Sequence, residues 1–214
     1  MSTSILHTPQ VRRVLERLHA EADSNDPPIL ARARGKTGAD RTVLLDDAFI
    51  PVSADAGRLL YTVARSVAPG TLVEFGTSFG ISTIYLAAAA HDRGTGRVIT
   101  TELHPGKAER ARGYIAEAGL SELVDLRVGD ALETLKGLAR DVSLAFLDGW
   151  KELYLPLLRT IEPALLPGAL VIADDLDLFP DALKPYLSYV RDPSNGYVSV
   201  AVPLGDAMEL SVRN

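Results

Sequence analysis

The sequence predicts a doubly wound α/β fold, a mostly parallel sheet closed by a C-terminal antiparallel hairpin, and three observations carry that prediction. Strand-like apolar runs alternate with helical periodicity from residue 55 to residue 190, the pattern of successive βαβ units. A glycine turn, Val73-Glu74-Phe75-Gly76-Thr77-Ser78-Phe79-Gly80-Ile81-Ser82, carries the first of those strands into a helix. Acids stand where the next four strands end, at Glu102, Asp130, Asp148 and the pair Asp174-Asp175. A doubly wound sheet gathers such positions along the rim where its ligands bind.

A first helix over about residues 8–22 follows from the stripe Val11, Val14, Leu15 and Leu18. Residues 23–48, with Asp23-Ser24-Asn25-Asp26-Pro27-Pro28 and a Gly-Lys-Thr-Gly patch at 35–38, have the composition of a surface loop or a lid. Helical spacing returns over 55–67, and Pro69-Gly70 turns the chain into the strand Thr71 to Phe75. The alternation then runs through helix 81–91, strand 97–102, helix 105–118, strand 124–128 and helix 131–138. Strand 142–147, helix 153–165, strand 169–173 and helix 180–190 continue it. Segments 197–203 and 208–212 around Leu204-Gly205-Asp206 read as the closing hairpin. The chain divides into an N-terminal helix with its loop or lid, residues 1–49, and one α/β domain, residues 50–214.

Of the 214 residues, 47% are hydrophobic and 23% charged, the balance of a soluble globular protein. Twenty-eight acidic against 22 basic residues give a formal charge of −6, which argues against nucleic acid, whose binding draws on cationic charge. A small-molecule partner fits that balance better. The longest apolar run, 84–90, is too short for a bilayer and the first residues lack a signal core, so the sequence predicts a cytoplasmic protein without a membrane partner. No cysteine is present, which removes disulfides, thiolate metal sites and a cysteine nucleophile, and the four histidines fall singly.

The glycine turn fits a small cofactor that approaches backbone at a helix N-terminus. A dinucleotide fingerprint would need glycine where Ser78 and Ile81 stand, and a phosphate-cradling loop ending at Lys36-Thr37 would need it at Leu30. Glu102, closing the second strand, can accept both hydroxyls of a ribose. Asp148, Asp174 and Asp175 offer oxygens to a hard cation such as Mg²⁺, and a calcium loop is excluded because Phe179 occupies a ligand position. For each acid taken alone, a helix N-cap is the plainer role.

The glycine turn with Glu102 resembles the S-adenosylmethionine site of class I methyltransferases. Phe146-Leu147-Asp148-Gly149-Trp150-Lys151-Glu152-Leu153-Tyr154-Leu155-Pro156, followed by Val171-Ile172-Ala173-Asp174-Asp175, resembles the metal-dependent catechol-type and caffeoyl-CoA-type O-methyltransferases. Ile50-Pro51-Val52 and the final hairpin extend the likeness, which runs from about residue 50 to the end. The resemblance implies a Rossmann-like methyltransferase sheet over 50–214, S-adenosyl-L-methionine as cofactor, a divalent cation, Mg²⁺, at Asp148, Asp174 and Asp175, and Lys151 as the catalytic proton acceptor. It assigns the ribose to Glu102, the methionine end to Val52, Gly76 and Ser82 with Glu74, Ser78 and Gly80 of the same turn, and the adenine to Asp130, Ala131 and Trp150, with Asp148 beside the cofactor. It also suggests a homodimer.

The expected activity is methyl transfer to a hydroxyl of a small catechol-like acceptor. A metal-independent methyltransferase on another acceptor, or a non-catalytic S-adenosylmethionine-binding protein, stands as the alternative. One departure matters: the family commonly has Asn where this chain has Asp175, which adds a negative charge to the cation site. Tyr154, Phe179 and Tyr186 are candidate walls for the acceptor.

Overall fold

The computed structural model describes residues 4–36 and 43–214. Its centre is a seven-stranded sheet in the order β3-β2-β1-β4-β5-β7-β6. The strands are β1 (Thr71–Phe75), β2 (Val98–Glu102), β3 (Val124–Val128), β4 (Val142–Leu147), β5 (Leu165–Ala173), β6 (Tyr197–Val202) and β7 (Met208–Arg213). The first five pair in parallel and β7 runs antiparallel to both β5 and β6, so the expected doubly wound sheet with its closing hairpin is the one observed. The helices are α1 (Pro9–Ala33), α2 (Ala54–Ser66), α3 (Ile81–Arg93), α4 (Pro105–Glu117), α5 (Ala131–Thr134), α6 (Tyr154–Ile161) and α7 (Pro180–Val190).

Strand alternation divides the core into two layers. Leu72, Leu144, Phe146, Leu170 and Ile172 face α1 to α4, while Val73, Ala145, Leu147, Val171 and Ala173 face α6 and α7. Every residue of β1 and β4 is buried, which is why these strands read as unbroken apolar runs. The sheet changes winding direction between β1 and β4, and the carboxyl ends of the strands there open onto a crevice.

The first helix corrects the expected loop. It continues through Asp23 and both prolines to Ala33, 25 residues in all. Turn-forming composition is overridden by tertiary partners: Asn25 donates to the carbonyl of Asp47, and the Asp26 carboxylate receives the amides of Phe49 and Ile50. Gly35 and Lys36 of the Gly-Lys-Thr-Gly patch follow α1, while Thr37 and Gly38 fall with the middle of the expected loop at residues 37–42, outside the described residues. Smaller differences follow the same logic. The helix expected over 131–138 stops at Thr134, whose carbonyl is taken by the Arg127 guanidinium, and β5 begins at Leu165 because Pro167-Gly168 is absorbed within the strand. No described helix is long and apolar enough to cross a membrane.

Candidate active site

A cavity of about 1120 Å³ lies along the carboxyl ends of the strands. Its floor is the glycine turn. Gly76 has φ +101, and a Cβ there would stand 2.5 Å from the carbonyl oxygen of Asp148, so the close approach of β1 and β4 itself demands glycine. Ser78, at φ +47, donates its amide to Glu102 Oε2 at 2.8 Å and its hydroxyl to the carbonyl of Phe49 at 2.9 Å. The other oxygen of Glu102 receives the amide of His104 at 2.9 Å, so both are oriented by backbone with lone pairs left for hydroxyl donors. α3 then opens at Ile81 with no side-chain cap, and its first turn, including Ser82, lies on the cavity wall. Uncapped amides at a helix start suit a carboxylate.

The cavity collects most of the sequence-predicted cofactor residues: Val52, Gly76, Ser78, Ser82, Glu102, Asp130, Ala131, Asp148 and Trp150 all line it. Asp130 has a second engagement, capping α5 through the amide of Leu132 at 2.9 Å. Trp150 packs partly on Ala33, Leu45 and Ala48.

Glu74 and Gly80 do not reach the cavity. Strand alternation puts the Glu74 side chain with Leu72 on the α3 face, where it is 0% exposed and accepts the hydroxyls of Thr83 and Thr100. Burial pushes its carboxyl pKa up, and its Oε1 has no hydrogen-bond partner among the described residues. Gly80, at φ +85, faces Ala111 and Ile115 of α4. Both residues shape the turn from beneath. Of the candidate walls, Phe179 lines the cavity, whereas Tyr154 and Tyr186 are core residues in edge-to-face contact.

The acids of β4 and β5 meet because Leu147 pairs with Ala173 in parallel register, so Asp148 and Asp174 leave the sheet side by side. Asp175 follows at φ +65, turning its side chain back, and carboxylate oxygens of all three lie within 4.8 Å of one another. Lys151, 8% exposed, sits against them with Nζ 2.7 Å from Asp175, 3.3 Å from Asp148 and 2.8 Å from the Tyr154 hydroxyl. Burial, reinforced by Asp175, pushes the Asp174 carboxyl up to about 7, and burial with the neighbouring acids also raises Asp148. For Lys151 burial works against the charge, but Asp148 and Asp175 outweigh it and raise the ammonium. The donor set fits a hard divalent cation: three oxygen ligands converge, and two are driven toward their neutral forms when only Lys151 balances them.

Sequence reasoning missed Asp26, Lys107 and Asp206, which also line the cavity. Asp26 lay hidden in apparent loop composition, and Lys107 in an ordinary helical turn whose burial pushes its ammonium pKa down. Asp206 was legible as part of the hairpin loop.

Comparison with known proteins agrees with this geometry. The methyltransferase domain family matches residues 73–176. Catechol O-methyltransferase of Mycobacterium tuberculosis is 36% identical over 128 residues, covering 59% of this chain and 57% of that protein. Catechol O-methyltransferase B of Danio rerio is 29% identical over 203 residues, 92% of this chain and 73% of the relative. The chain thus spans less than two thirds of the mycobacterial relative's length. Among solved structures, the O-methyltransferase TomG from Streptomyces achromogenes, in complex with SAM, superposes with a TM-score of 0.69 at 25% identity, covering 97% of this chain and 99% of that one. A shared sheet, a matched methyltransferase domain that holds both the glycine turn and the acid cluster, and a SAM-bound neighbour of nearly equal extent make this chain similar to S-adenosylmethionine-dependent O-methyltransferases, the catechol O-methyltransferases among them.

Proposed function

We propose that the protein transfers the methyl group of S-adenosylmethionine to one hydroxyl of a small catechol-like acceptor, with a divalent cation, Mg²⁺, held by Asp148, Asp174 and Asp175. The observation that carries this reading is the meeting of three carboxylates and a buried lysine on the wall of the cavity floored by the glycine turn. The overall charge of −6 accords with a small-molecule acceptor.

In the transfer, the sulfonium carbon–sulfur bond breaks as an oxygen–carbon bond forms, and the acceptor hydroxyl gives up its proton. The chain's task is alignment and proton removal. Glu102 takes the ribose hydroxyls, the open start of α3 takes the methionine carboxylate, and Trp150 flanks the adenine. Asp148, Asp174 and Asp175 would hold a divalent cation, which would supply Lewis acidity toward the acceptor hydroxyl. Lys151 receives the proton. Its amine is free to do so only when Asp148 and Asp175 are neutralised by something other than its own ammonium.

The same ion pair favours a second reading, in which Lys151 permanently balances Asp175 and methyl transfer proceeds without metal. Both are tested by following labelled methyl from S-adenosylmethionine into a simple catechol, with and without a chelator. The proposal expects transfer that chelation abolishes and Mg²⁺ restores. Undiminished turnover in chelator would select the metal-free reading, and absence of transfer to any of a panel of hydroxyl acceptors would leave only a binding protein.

A further inference from the structure

α1 carries a buried acid with no ion-pair partner among the described residues. Asp26 is 5% exposed; Oδ1 receives the amide of Phe49 at 2.9 Å and the side-chain amide of the adjacent Asn25 at 3.1 Å, and Oδ2 receives the amide of Ile50 at 2.7 Å, so its main reach is to a segment 23 residues further along. Neighbouring backbone groups are captured too. The carbonyl of Asp47 accepts from Asn25, that of Ala48 from Lys107 Nζ at 2.9 Å, and that of Phe49 from the Ser78 hydroxyl. Side chains from α1, α4 and the glycine turn therefore hold four consecutive residues.

The held conformation is a strained one. Ile50 sits at φ +44, where a β-branched residue is a genuine outlier that persists only when its surroundings over-determine it. The Phe49 ring is fixed against Phe79, 4.3 Å between centroids, and Arg110 lies over the Phe79 face. The strained turn aims Ile50, Pro51 and Val52 onto the cavity wall. The clasp is also wired to the ribose acid, since Ser78 binds Phe49 through its hydroxyl and Glu102 through its amide.

We propose that Asp26 is a positioning residue for the cofactor: it holds residues 47–50 as a strap that presses Ile50-Pro51-Val52 over the methionine end, and the cofactor leaves by way of a strap released from Asp26. This rests on the reading of the cavity as an S-adenosylmethionine site. A plain packing role would need only an apolar contact at this depth, whereas a buried carboxylate costs desolvation, and two of the three donors that offset it, the backbone amides of Phe49 and Ile50, are in place only while the strap is closed.

The test uses the full chain and S-adenosylhomocysteine, with the intrinsic fluorescence of Trp150 as reporter; it is the only tryptophan, and it packs against Leu45 and Ala48 beside the strap. In stopped-flow displacement, Asp26→Ala should raise the dissociation rate tenfold or more. Asp26→Asn, which keeps one acceptor oxygen, should fall between Ala and wild type, and Lys107→Met should shift the rate in the same direction. A dissociation rate for Asp26→Ala within twofold of wild type would overturn the strap. Should Asp26→Ala fail to fold, an Asp26→Asn rate equal to wild type overturns it. Failure of the wild type to bind S-adenosylhomocysteine overturns the cavity assignment as well, whereas tight binding with unchanged release overturns the strap alone.

Discussion

Asp175 shows how one substitution divides backbone demands from charge demands. Its φ of +65 lies in the left-handed region that Asn and Asp populate more readily than other side chains, so either residue meets the turn's geometry. Only Asp adds the ion pair to Lys151 at 2.7 Å. Asp175→Asn should therefore fold normally and keep methyl transfer within about tenfold of wild type, since an amide oxygen still faces the cluster; the turnover number on a catechol acceptor checks this. Lys151→Ala should lower turnover by about 10² to 10⁴, the usual range for a general base, with S-adenosylhomocysteine affinity changed far less. Equal losses in both would count against a base. At this scale the convergence of Asp148, Asp174 and Asp175 was legible because acids that follow adjacent parallel strands leave the sheet together. Glu74 was misassigned because the glycine pattern outweighed strand parity, which groups it with Leu72 rather than with the rim.

Single elements are secured by acids of a different kind. Asp92, near the end of α3, receives the amide of Ile5 on both oxygens and the hydroxyl of Tyr61 at 2.7 Å, tying the N-terminal turn and α2 to α3. Burial would raise its pKa, but hydrogen bonds from Ser4, Tyr61, His91 and Ile5 overcome that and hold it well below the carboxylate range. A carboxyl depressed in the folded state lends stability above its unfolded pKa of about 4, and that contribution drains away as pH falls below it. Asp92→Ala should cost about 1–3 kcal/mol at pH 7, and the gap from wild type should narrow steadily below about pH 4. Denaturant melts at pH 7 and pH 3 measure both limbs. Which elements exist was readable from periodicity, but where they end was not. α1 outran its apparent stop because Asn25 and Asp26 find partners 22 to 24 residues away, a pairing that local composition does not encode.

On the scale of the whole molecule, the cavity is where distant parts of the chain meet. Its wall draws on α1, residues between 45 and 52, the ends of β1, β2, β4 and β5, and the hairpin loop at Gly205 and Asp206. The sheet that supports it was legible because its central strands are apolar on both faces; the N-terminal wall was not, because it depends on contacts between segments that never pair as strands. A ligand filling the cavity touches both core layers and should stabilise the fold as a unit. With S-adenosylhomocysteine at 100 times its dissociation constant, linkage predicts about 2.7 kcal/mol. At about 2–4 °C per kcal/mol for a chain of this size, Tm should rise by about 5–10 °C in one cooperative transition. Calorimetry distinguishes the outcomes: if the ligand splits the transition, shifting one part and leaving the other behind, then the N-terminal wall and the sheet respond as separate units and α1 is not part of the cofactor site.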